Sequence, residues 1–115
     1  AEEKKEIKVV NDQTLTPTST LDVSEKLFEL IQTEKYGIYH MTNTDSCSWY
    51  EFACEIFRLM KLNTGVIPIT TDRFGAKARR PYYSVLDNFN LRKIGLNDLK
   101  NWKEALKDYI KGRNR

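Results

Sequence analysis

Ser48-Trp49-Tyr50-Glu51-Phe52-Ala53-Cys54-Glu55-Ile56-Phe57-Arg58-Leu59-Met60 is the stretch whose reading decides the fold. A serine followed three residues later by glutamate forms a capping box, in which each side chain satisfies a backbone N–H that the first helical turn leaves unpaired. Trp49, Phe52, Ala53, Ile56, Phe57 and Met60 then recur at helical spacing, so one face of the helix is apolar. Val66-Ile67-Pro68-Ile69 follows as a short strand-type run. Its proline cannot donate to a ladder, which places the run at an edge or a strand end.

The same alternation extends outward on both sides. Upstream, Ile7-Lys8-Val9-Val10 reads as a strand. Thr16-Pro17-Thr18-Ser19-Thr20 is a turn and helix entry whose hydroxyls can cap free N–H groups. Leu21, Leu27, Phe28, Leu30 and Ile31 predict an amphipathic helix to about Glu34, closed by Tyr36-Gly37 with the glycine as left-handed cap. Ile38-Tyr39-His40-Met41 predicts a second strand. Downstream, residues 71–88 lack periodicity and read as a long loop with one turn of helix. Leu91 to Ile94 predicts a short helix stopped by Gly95, and Trp102, Ala105, Leu106, Tyr109 and Ile110 a terminal one. Three short strands and about four helices suit a small α+β domain around one core, within the α/β class, better than an independent doubly wound sheet.

Composition limits the function classes. The chain has 115 residues, 40% apolar and 30% charged, which is globular rather than disordered. That length suits one small domain and is too short for a dinucleotide-binding domain plus a substrate domain. No apolar run approaches the ~20 residues of a membrane span, and Ala1-Glu2-Glu3-Lys4-Lys5-Glu6 is charged where a signal peptide would turn apolar. Residues 1–6 read as the end of a preceding helix or as a tail, residues 7–110 as the domain, and residues 111–115 as a basic C-terminal tail. The start suggests a domain cut from a longer protein. Nineteen basic against 16 acidic residues give a net charge of +3. That mild, interleaved charge argues against nucleic-acid binding. Cys47 and Cys54 have no zinc spacing and read as reduced thiols of a cytoplasmic protein.

Missing motifs exclude most catalysis by this chain. Its five glycines form no G-x-G-x-x-G or Walker A loop, and there is no G-x-S-x-G elbow. His40, in a strand-like run, reads as a packed residue rather than a catalyst. Asp22/Glu25 and Glu51/Glu55 read as solvated helix charges. No catalytic residue, cofactor-binding residue or metal ligand is assigned.

Two stretches suggest binding instead. In Asn11-Asp12-Gln13-Thr14-Leu15-Thr16-Pro17-Thr18 a strand runs into short polar side chains before a helix, a setting that suits phosphate or sugar hydroxyls. It also suits plain turn chemistry. In Lys77-Ala78-Arg79-Arg80-Pro81-Tyr82-Tyr83-Ser84 the guanidinium forks can bind phosphate, and the tyrosines can stack on a base or sugar. A solvated basic loop is the alternative. Consecutive arginines point different ways, so at most one of the two faces a ligand.

Five segments in order carry a family resemblance. They are Val9-Val10-Asn11-Asp12-Gln13 with Pro17-Thr18; Gly37 to Asn43; Ser48 to Ala53; Pro68-Ile69-Thr70-Thr71; and Ala78 to Asn88. From about Ile7 to Ile110 the chain resembles the C-terminal, substrate-binding part of dTDP-4-dehydrorhamnose reductases, which are extended short-chain dehydrogenase/reductases. The regulatory beta subunit of methionine adenosyltransferase shares part of the pattern, so a non-catalytic binding module is the alternative. The resemblance implies a parent whose N-terminal Rossmann domain carries the NADPH or NADH loop and a Tyr-x-x-x-Lys pair, neither of which is in this chain. That parent would reduce dTDP-4-dehydro-6-deoxy-L-mannose to dTDP-L-rhamnose.

The resemblance also implies the binding residues. They are Gln13, Thr18, Arg79 and Arg80, around a dTDP-sugar, with Trp49 and Tyr50 in the core or cleft wall. It implies the Rossmann domain as partner, leaves a homodimer of the parent and a magnesium requirement open, and implies neither nucleic acid nor membrane. The family usually has glycine where this chain has Leu15, and leucine rarely takes positive φ, so an altered turn after Gln13 is expected. Lys77, where the family often has proline, adds a charge near the arginines.

Overall fold

The computed structural model describes residues 6–75 and 78–113. Strand β1 (Glu6–Val10) pairs in parallel with β4 (Gly65–Ile69), in a register that runs from Glu6 opposite Gly65 to Val10 opposite Ile69. Parallel partners need a long crossover. Here it contains β2 (Thr14–Leu15), α1 (Thr20–Gln32), β3 (Cys47–Ser48) and α2 (Trp49–Met60). After β4 come α3 (Thr71–Phe74), α4 (Phe89–Lys93) and α5 (Trp102–Arg113). This is the mixed α/β architecture expected from the sequence.

The capping box forms as its spacing predicts. Ser48 Oγ accepts from Glu51 N at 3.1 Å, and Glu51 Oε1 accepts from Ser48 N at 2.9 Å. Helix α2 packs on both β1 and β4 and on α5. The rings of Trp49, Phe52 and Trp102 meet edge-on, with centroids 6.4 and 5.9 Å apart. A second cluster forms from Leu30, Leu91 and Leu99, with Tyr39, Met41, Ile94 and Leu96 against it.

Several expectations are corrected. Ile38 to Met41 forms no strand. Tyr39 and Met41 turn to the leucine cluster while Ile38 is 81% exposed, so the alternation is present without a neighbouring strand to pair with. His40 is exposed rather than packed. The antiparallel partners are instead Thr14–Leu15 and Cys47–Ser48, two-residue strands too short to leave a period. Gly37 does not cap α1. The helix ends at Thr33, and the left-handed residue is Glu34 at φ 59°. Leu15 lies in β2 and has no positive φ, so the turn needs no glycine there. Residues 1–5 lie outside the described residues, whereas Glu6 opens β1 and the last helix continues beyond Ile110 to Arg113.

Three of the four carboxylates read as solvated are engaged. Asp22, 10% exposed at its side chain, accepts from Asn43 Nδ2 at 2.8 Å and lies 3.4 Å from Lys100 Nζ. Glu51 completes the capping box. Glu55, 14% exposed at its side chain, holds Arg58 through both oxygens at 2.6 and 3.0 Å. Helical periodicity placed these residues on α1 and α2 but could not show which loop or side chain would cover them.

Candidate functional site

β1 and β4 end side by side, and the site is built where they end. Ligands of parallel α/β sheets bind beyond the carboxyl ends of the strands. Asn11 N donates to Ile69 O at 2.9 Å, carrying the ladder one step further. The next two residues tie β1 to α3. Thr71 N–H donates to the Asp12 carboxylate at 3.0 Å, and Thr71 Oγ1 donates to it at 2.5 Å. These two donors hold the Asp12 carboxyl below its ordinary value of 3.8. Gln13 is buried, and both ends of its amide are engaged. Its Nε2 donates to Thr71 Oγ1 at 3.2 Å, and its Oε1 accepts from Trp49 Nε1 at 3.2 Å. Ser48 Oγ reaches Asn11 Oδ1 at 2.7 Å and so ties the start of α2 to the same turn.

A groove of about 500 Å³ opens over this junction. Its lining includes Gln13, Trp49, Thr71, Phe74, Lys8 and Arg80. The arginine loop is fixed nearby because Tyr82 to Ser84 run along β2. Thr14 N donates to Tyr82 O at 2.7 Å, and Ser84 N donates to Thr14 O at 2.9 Å. Two cations, an amide and two aromatic rings thus face one space. Such a lining suits an acceptor-rich, partly planar ligand of the nucleoside diphosphate kind.

Other chemistry is sparse. Cys47 is buried, and burial pushes its thiol up to about 12, which makes it a poor nucleophile. No group of three His, Cys, Asp or Glu residues could hold a metal ion among the described residues. Among them, too, no helix is long and apolar enough to cross a membrane.

Residues 1–114 match the family model described as the RmlD substrate binding domain. The chain belongs to that family. It is 40% identical over 114 residues to the spore coat polysaccharide biosynthesis protein SpsK of Bacillus subtilis (strain 168), covering 99% of this chain and 40% of that protein. A dTDP-4-dehydrorhamnose reductase from Bacillus anthracis str. Ames, solved in complex with NADP, superposes with a TM-score of 0.93 at 40% identity, over 96% of this chain and 40% of that one. A dTDP-4-dehydrorhamnose reductase ortholog from Clostridium acetobutylicum gives a TM-score of 0.94 at 44% identity, over 97% and 40%. The chain therefore spans 40% of the length of each of these three proteins.

Within this substrate binding domain the four residues expected from the sequence divide into pairs. Gln13 and Arg80 line the same groove. Arg79 is exposed but is not part of that lining, in keeping with the opposed directions of adjacent side chains. Thr18 Oγ1 donates to Thr16 O at 3.1 Å and lines a different groove, walled by Phe52, Ile56, Trp102 and Tyr109. Lys77 lies outside the described residues. Trp49 is 42% exposed on the groove, which matches its reading as cleft wall. Sequence reasoning missed Lys8, Thr71 and Phe74. Thr71 sits in a segment that carries the family resemblance but nothing in its spacing marks it as a ligand, and Phe74 sits in a stretch with no periodicity to flag it.

Proposed function

We propose that this chain is the substrate-binding portion of an NADPH-dependent dTDP-4-dehydrorhamnose reductase and that its groove receives the nucleoside diphosphate of the dTDP-sugar. One observation carries the reading: Gln13 and Arg80, far apart in sequence, line one groove at the carboxyl ends of a parallel strand pair. The relatives support it, since the solved ones are dTDP-4-dehydrorhamnose reductases and one holds NADP. None of the relatives reported above favours the regulatory alternative.

In such a parent the C4 ketone of dTDP-4-dehydro-6-deoxy-L-mannose would be reduced, with NADPH supplying the hydride and a proton going to the oxygen. This chain does not fit the dinucleotide. The turn after β1 is Asn11-Asp12-Gln13 rather than a glycine loop, and described glycines such as Gly75 and Gly95 have only open space where a Cβ would sit. In this reading cofactor and hydride chemistry belong to an N-terminal Rossmann domain of a longer protein, for which this chain holds the substrate. The reading extends to a cytoplasmic parent, in line with two free cysteines.

The test uses Arg80→Ala in that full-length reductase. Losing a hydrogen-bonded cation from a phosphate costs about 1.5–3 kcal/mol, so KM for the dTDP-sugar rises roughly tenfold or more while NADPH affinity stays within about twofold. Arg79→Ala, off the groove, leaves KM nearly unchanged. An unchanged KM for Arg80→Ala makes the loop solvated surface. Hydride transfer by the purified 115-residue chain alone overturns the whole assignment.

A further inference from the structure

The geometry points to Trp49 as a positioning residue, whose indole N–H fixes which end of the Gln13 amide is the donor to the ligand. This rests on the nucleotide-groove reading given above. Four side chains stand in one line. Trp49 Nε1 donates to Gln13 Oε1, Gln13 Nε2 donates to Thr71 Oγ1, and Thr71 Oγ1 donates to Asp12.

The two ends of that line can each act in only one way. An indole N–H only donates, and an ionised carboxylate only accepts. The Thr71 hydroxyl must give its single hydrogen to Asp12, so it can only accept from Gln13. Turning the Gln13 amide over would set its NH₂ against the indole N–H and its carbonyl against an oxygen with no hydrogen to give. Both contacts would be lost at a buried residue, where unmade hydrogen bonds are costly. The amide therefore has one orientation, set jointly from α2 and from α3.

That orientation has a chemical consequence. The Nε2 end lies beside α3, and Gln13 and Arg80 line one groove, so the second Nε2 hydrogen is the donor this residue can offer there. A diphosphate offers only acceptors, so it pairs with this end and is repelled by the carbonyl end. Without the indole N–H only the Thr71 contact still opposes the flip, so the amide turns over more often and presents oxygen to oxygen. Trp49 thus acts on the ligand through Gln13, in addition to walling the groove with its ring.

The experiment uses the full-length reductase and thymidine diphosphate as probe, with binding measured by calorimetry. Trp49→Phe keeps an aromatic ring and removes the donor. Trp49→His restores a ring N–H at about the same position and is measured above the histidine pKa, near pH 8. Phe is expected to weaken thymidine diphosphate about tenfold, His to return it to within about threefold of wild type, and both to leave NADPH binding within about twofold. Phe binding as tightly as wild type, or His as weakly as Phe, overturns the inference.

Gln13→Glu supplies an independent arm, because it leaves an acceptor for Trp49 and removes the donor for the ligand. Adding Trp49→Phe to it should then cost nothing more for thymidine diphosphate, and additive losses refute the coupling. Failure of the wild-type enzyme to bind the probe sinks the nucleotide reading alone. The lock is then read from the Gln13 side-chain protons by NMR. One protected Nε2 proton in wild type that becomes unprotected in Trp49→Phe supports the lock, and identical exchange in both proteins refutes it.

Discussion

At the carboxyl end of β1 and β4 the contacts are polar and single-file; around Leu91 they are apolar and many-sided. Asp12, Gln13, Trp49 and Thr71 hold three elements together through a line of directed hydrogen bonds, next to an open groove. Leu91 is 0% exposed and packs with Leu30 and Leu99, with charged ties at the rim, where Lys26 pairs with Glu29 and Asp98. The difference assigns separate jobs. A polar line fixes directions and so serves recognition, whereas apolar packing has no preferred direction and serves stability.

The largest test of that division is Leu91→Ala. Truncating a fully buried leucine costs about 2–5 kcal/mol, read as a lower denaturation midpoint, while affinity for thymidine diphosphate under folding conditions stays near wild type. A parallel loss of nucleotide affinity would show that the two regions are not separable. Next is Ser48→Ala, which removes a helix cap worth about 0.5–2 kcal/mol along with the contact to Asn11. It should lower stability and nucleotide affinity together, because Ser48 caps α2 and ties its start to the turn after β1 from which Gln13 enters the groove.

The smallest effects are in pH, and they have opposite signs. Asp12 is held below 3.8 by Thr71, so the stability it lends is present above that value and is lost as pH falls through the lower folded value. Lys26 is held above 10.5, first by Asp98 and then by Glu29, so its contribution is present below 10.5 and is lost as pH rises through the higher folded value. Acid acting through Asp12 should therefore loosen the groove, and alkali acting through Lys26 the α1 side, each by a small amount. Hydrogen exchange at low and high pH checks which segment opens. The same segment opening at both ends would contradict the contrast.

Long elements with internal period were legible in the sequence. α2 with its capping box, α5, β1 and β4 all lie where apolar spacing and cap chemistry put them, because those signals are local. The two-residue strands Thr14–Leu15 and Cys47–Ser48 were not legible, since two residues carry no period and are strands only because each has the other as partner. The converse error at Ile38 to Met41 has the same cause: an alternating pattern with no neighbour is not a strand. At the site, the polar run after β1 and the arginine loop were recognisable by composition, and Gln13 and Arg80 do share a groove. The adjacency of Arg79 and Arg80 foretold that one of them faces elsewhere but not which, and Thr18 turns to another groove because backbone pairing sets its direction.

By itself the sequence determined the alternation of helix and strand, the absence of a dinucleotide loop and the family the chain belongs to, for each of these is written in adjacent residues. Only the tertiary structure decided that β1 and β4 end together, that Tyr82 to Ser84 hold the arginine loop against β2, and that Trp49, Gln13, Thr71 and Asp12 form one line. Those facts depend on contacts between residues dozens of positions apart. Hydrogen-bond polarity, unlike hydropathy, leaves no period along the chain.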